Sequence, residues 1–169
     1  MKLNFTRALV CFFITYVVVT ILATSVSVIY GIVYHSPPPA PGVSVLQAPS
    51  FVATVPYHVL IMLLIWPVAA GIYFKRSLLK DSKAQIKETW LLSFAWVAAA
   101  IITDFVCFVW IKNSYSLTPH EFYVIYQPWI SLIYLSIFLS PWIRLGLLLV
   151  FDRRRGSSLV VDAPTKYWK

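Results

Sequence analysis

Residues 8–74 contain no Asp, Glu, Lys or Arg. A water-soluble domain keeps charged side chains over much of its exterior, so an uncharged stretch of this length is read as chain that meets lipid. The pattern recurs over residues 90–111, interrupted only by Asp104, and over residues 122–143. About 20 apolar residues cross the hydrocarbon layer as a helix, which makes the first stretch long enough for two crossings. Composition agrees: 60% of the 169 residues are hydrophobic and 12% are charged, against roughly a quarter charged in soluble domains.

In hydrocarbon each unpaired backbone group costs several kcal/mol, which leaves helices as the natural crossing elements. The fold expected is all-α: one polytopic membrane domain, a bundle of four transmembrane helices over about residues 8–34, 57–74, 90–111 and 119–143. The first is long enough to need tilt or extension beyond the hydrocarbon. It stops at His35, before Ser36-Pro37-Pro38-Pro39-Ala40-Pro41-Gly42, because proline fixes its φ and lacks the helical donor. Residues 35–56 are read as an outer proline-rich loop. Its second part, 43–56, is interrupted by Gln47, Pro49, Ser50 and Pro56 and is expected to be interfacial or partly re-entrant. Pro67 predicts a kink in the second span, and Pro128 and Pro141 bends in the fourth. The sharpest local signal is Thr118-Pro119-His120-Glu121, where an N-cap hydroxyl, a proline in the first turn and a glutamate three residues after the cap make a capping box.

The basic residues set an orientation. Lys2 and Arg7, the connector 75–89 with Lys75, Arg76, Lys80, Lys83 and Lys87, and the C-terminal group of Arg144, Arg153, Arg154, Arg155, Lys166 and Lys169 fall on one side. Lys112 is left alone on the other, so the positive-inside rule predicts an N-in/C-in protein with a cytoplasmic connector and a cytoplasmic tail, 152–169. The net charge of +8 is thereby sorted by membrane side, and no nucleic-acid partner is expected. Arg153, Arg154 and Arg155 read as a stop-transfer anchor that also offers a seat to anionic lipid headgroups. The N-terminal run has the basic start of a signal peptide, but its apolar part continues to about Tyr34, which favours a retained first helix. Cys11 and Cys107 fall at opposite depths, too far apart for a bridge between them.

An ionisable side chain inside a span is a functional hypothesis, since placing it against lipid costs at least about 2.5 kcal/mol. Asp104 is the one well inside. Its helical face includes Ser93, Val97, Ala100 and Cys107 or Phe108, small or polar at several points, as suits a bundle interior. Reckoned by depth, Gln127, Ser131 and Tyr126 on the fourth span and Ser27 and Tyr30 on the first are the candidates to surround it. Three roles compete: a buried polar lock between helices, a proton- or cation-handling group in a small transporter or accessory subunit, or part of a polar pocket for another ligand. His35, His58 and His120, with Glu121, form a weaker outer constellation of metal-ligand types without a recognised ligand spacing. Tyr30, Tyr34, Tyr57, Trp90 and Trp142 fit interfacial belts. No CxxC, no phosphate-binding glycine loop and no mid-membrane histidine pair is present, so neither an enzyme nor a cofactor is expected.

Asp104-Phe105, the run from Thr118 to Tyr123 and the stretch Gln127-Pro128-Trp129-Ile130-Ser131-Leu132-Ile133-Tyr134 resemble the second half of small bacterial four-span membrane proteins to which no activity is attached. The resemblance implies a multi-pass protein of a bacterial inner membrane. The function expected from the residues is a structural or interaction subunit that packs against lipid, itself or another membrane protein.

Overall fold

The computed structural model describes residues 4–75 and 82–161. Lys2, Arg76, Lys80, the tail residues 162–169 and the side chains of Arg153, Arg154 and Arg155 lie outside what is described. Helix α1, Phe5–Val33, starts on Asn4, whose carboxamide oxygen accepts the Arg7 backbone N–H at 3.1 Å. It ends in a left-handed residue, His35 at φ +48°, which lets Ser36 N–H close back onto the Gly31 carbonyl at 3.0 Å. Glycine usually fills that position; histidine tolerates it better than a branched residue does, and Pro37 then forbids continuation.

Helix α2 spans Pro49–Phe74. It therefore starts well before the expected residue 57, and residues 49–56 are helix rather than a loop. The reason is local: proline in the first helical turn gives up an N–H that the helix does not use. Pro56 and Pro67 lie inside α2, each at the loss of one helical hydrogen bond. Of the expected loop, Val45–Gln47 forms a single 3-10 turn, tied by Val45 N–H to the Ser114 carbonyl at 2.9 Å.

Helix α3, Ser82–Asp104, continues as a widened π-type turn over Phe105–Trp110. Asn113 then closes the end, its amide donating to the Cys107 and Ile111 carbonyls at 3.1 Å each. The capping box forms as expected: Glu121 accepts the Thr118 N–H at 2.8 Å and the Thr118 hydroxyl at 2.7 Å, and Glu121 N–H returns to Thr118 Oγ1 at 3.2 Å. It opens only a short wide-turned segment, Glu121–Ile125, and residues 126–128 turn before α4, Trp129–Val161, begins. Pro128 closes the turn from which α4 starts, rather than bending one continuous fourth span. Pro141 inside α4 is handled differently. The carbonyl it frees, that of Ile137, accepts the Ser140 hydroxyl at 2.8 Å, a side-chain repair common where no water is at hand.

Four helices, Phe5–Val33, Pro49–Phe74, Lys83–Trp110 and Trp129–Leu148, are long and apolar enough to cross a membrane. Among the described residues there is no strand. The helices close a ring in which α2 packs broadly on α1 and α4, while α3 packs on α4 and more narrowly on α1. At the end away from the proline-rich connection the core is dense. Trp66 and Trp96 meet at 5.3 Å, Phe12 joins Trp66 at 5.5 Å, and the Trp96 indole donates to the Ala8 carbonyl at 2.9 Å. Ala8, Ala69, Ala70 and Ala100, all buried, let the helices approach closely enough for the indoles to fill the space. A second, smaller cluster of Leu46, Val109, Leu117, Phe122 and Ile130 closes the proline-rich end.

Candidate functional site

Between the two clusters α3 delivers Asp104, at the junction of its regular helix and the π-type turn, and 6% of that residue is exposed. The carboxylate is shared between two neighbours. Tyr16 of α1 donates its hydroxyl to Oδ1, and Tyr134 of α4 donates to Oδ2 at 2.9 Å. One side chain thus joins three helices. Among the described residues no cationic group stands beside it.

The residues reckoned to surround Asp104 are distributed otherwise. Gln127 and Ser131 lie exposed on the bundle surface and bond to each other, Ser131 Oγ to Gln127 Oε1 at 2.7 Å. Gln127 in turn donates its amide to the Tyr123 carbonyl at 3.2 Å. Tyr126 sends its hydroxyl to the Leu46 carbonyl at 3.1 Å, while the residue lines the same cavity as Asp104. Ser27 sits in a separate polar knot between α1 and α2, 2.7 Å from Thr54 Oγ1 and 3.0 Å from His58 Nε2.

Sequence reasoning missed both tyrosines that hold Asp104. Depth counted from the outer helix ends sets Tyr30 level with Asp104. Tyr16 lies 17 residues before the end of α1, about 26 Å, whereas Asp104 lies six before the end of its π-type turn, about 9 Å. Helix α1 therefore overhangs α3, and the level of a residue cannot be read from its own helix alone. The usable signal for Tyr134 was its start-to-site distance in α4 once Pro128 is taken as a helix stop.

Asp104 also walls a cavity of about 310 Å³. Most of its lining is apolar or aromatic, including Phe51, Phe108, Phe122 and Tyr126, with Trp66 and Ile137 toward the dense core. The polar groups reaching it are few: Asp104 and Tyr16 at one wall, His58 at another, and Thr20 and Thr24 along α1. Of the lining residues only Thr20 of α1 and Tyr115, in the connection after α3, are exposed, and α1 and α3 pack on each other more narrowly than the other neighbouring helices.

The histidines do not gather. His35 forms the stop of α1, His58 is buried against Ser27 and Phe51, and His120 is exposed in the first turn after Thr118. Among the described residues no three His, Cys, Asp or Glu side chains come together as metal ligands would. Glu121 instead serves the connections. Its Oε1 accepts the Gln47 amide at 3.2 Å, and the Thr118 donors followed by Gln47 hold its carboxyl below the usual glutamate range.

Fold and site together define a small all-helical bundle with four helices able to span a membrane, an apolar cavity and one buried acid in its wall. No protein-family model matches the chain, and neither a curated protein nor a solved structure matches it.

Proposed function

We propose that this protein is a non-enzymatic, multi-pass subunit of a bacterial inner membrane, with both termini cytoplasmic, in which Asp104 is a polar lock holding α1, α3 and α4 in one arrangement. The observation that carries it is the pair of tyrosine hydroxyls, from two different helices, on the two oxygens of one buried carboxyl. In hydrocarbon a polar group has no water to fall back on, so such bonds fix which helices meet and in what register. The placement of Arg7, Lys75 and Arg144 at one end, with Lys112 alone at the other, supports the orientation. The outside of α1 is apolar at Phe13, Ile14, Val17 and Ile21, a surface suited to lipid, to a second copy or to a helix of another membrane protein.

The test is a pair of variants unfolded by detergent titration. Asp104→Asn keeps an acceptor and a donor for the tyrosines and is expected to lose about 1 kcal/mol or less, while Asp104→Ala strands both hydroxyls and loses about 1–3 kcal/mol. Equal stability of the wild type and Asp104→Ala would defeat the lock. The same Asp104→Asn protein in proteoliposomes under a pH jump separates this reading from proton-coupled transport, which demands a flux that disappears with the carboxyl.

A further inference from the structure

The two tyrosines do not use up Asp104. A carboxylate offers about four acceptor positions, and two are taken. The residue also forms part of the cavity wall, with no positive side chain beside it among the described residues. A buried acid in a membrane-spanning bundle needs either a proton or a counter-charge. Around the same space stand the rings of Tyr16, Phe51, Phe108, Phe122 and Tyr126, on helices or connections from every part of the bundle. Aromatic faces attract cations through their quadrupole, most strongly where water is excluded, and quaternary ammonium groups are the ligands that aromatic cages with few polar groups select. A bare metal ion is poorly served here: Asp104 is a single carboxyl, and no cluster of three ligating side chains is present among the described residues.

The geometry points to a binding site for a small organic cation, an ammonium group on an apolar or aromatic body, with its charge at Asp104 and its body among the rings. The cavity, at about 310 Å³, stands at the lower end of ordinary ligand pockets, so the ligand is compact. Its entry is assigned to the seam between α1 and the end of α3, the side of Thr20 and Tyr115, which are the exposed lining residues. An amphiphilic cation concentrates at the membrane surface and reaches such a seam without crossing the dense core. The site requires neither transport nor the lock, only that the carboxyl borders the cavity.

The test uses the full-length protein in a non-ionic detergent, with phenyltrimethylammonium and its neutral isostere tert-butylbenzene, read by tryptophan fluorescence and calorimetry at matched free concentrations. Saturable binding is expected, with the cation about tenfold or more tighter than the neutral isostere. Asp104→Asn should weaken the cation by about tenfold and leave the isostere within about twofold, while Phe108→Ala weakens both. Equal binding of cation and isostere by the wild type overturns the proposal, as does absence of saturable binding or a preference for the cation that survives in Asp104→Asn. The wild-type comparison needs no variant, so the outcome does not depend on whether Asp104→Asn assembles. A variant that assembles normally and loses only the cation separates failure of the lock from failure of the site.

Discussion

The two halves of the bundle use the same residue types to opposite ends. In the half away from the proline-rich connection, Trp66, Trp96, Phe12 and Tyr73 are almost entirely buried and the alanines beside them bring the backbones close. In the half toward that connection, Phe51, Phe108, Tyr126 and Tyr16 are only partly buried and surround a void. The difference follows from the backbone. Regular helix with small residues at the contacts allows indoles to interdigitate, whereas widened turns at Phe105–Trp110 and Glu121–Ile125 and the break at 126–128 splay the chain. The dense half is built to persist and the hollow half has room for a guest.

That contrast can be broken by substitution. The largest effect belongs to the dense half: Trp96→Ala removes a fully buried indole and its bond to the Ala8 carbonyl and is expected to cost about 3–5 kcal/mol in a detergent-unfolding titration. A loss no larger than that of Phe108→Ala would mean the halves are packed alike.

Next comes a pair of opposite sign. Ala70→Ile adds volume where none is free and is expected to destabilise by about 1–3 kcal/mol. Ala23→Ile adds the same volume at the cavity wall and is expected to stabilise by about 0.5–1 kcal/mol while reducing the space for a ligand. Like signs for the two would erase the distinction between filled and hollow regions.

The smallest effect concerns the clasp over the hollow half. Because Glu121 titrates below the usual glutamate value of 4.5 in the folded protein, its contribution is present above that value and is lost as pH falls through the lower folded pKa. Backbone hydrogen exchange of the 44–48 and 113–121 connections should therefore rise as pH drops from about 6 to 3, after correction for intrinsic rates, and Glu121→Gln should flatten that dependence. An unchanged profile in Glu121→Gln would remove Glu121 from the clasp.

Much of this protein is legible in its sequence, and for identifiable reasons. The number of membrane-length helices followed from the uncharged stretches, and the capping box at Thr118 and Glu121 followed from chemistry that acts over three residues. Pro49 shows where local rules still mislead: the same residue that interrupts a helix interior starts one, and the choice depends on what precedes it. Asp104 stood out because a lone acid in an apolar run is conspicuous anywhere. Its partners did not, since Tyr16 lies 88 positions away and meets it only through the relative sliding of two helices. The sequence by itself determined that the chain makes four long apolar helices and that Asp104 interrupts an otherwise uncharged run, because hydrophobicity, proline and charge act locally. Only the tertiary structure decided that two tyrosines share that acid and that a cavity opens beside it, because helix overhang and the widened turns set levels and registers that no single helix encodes.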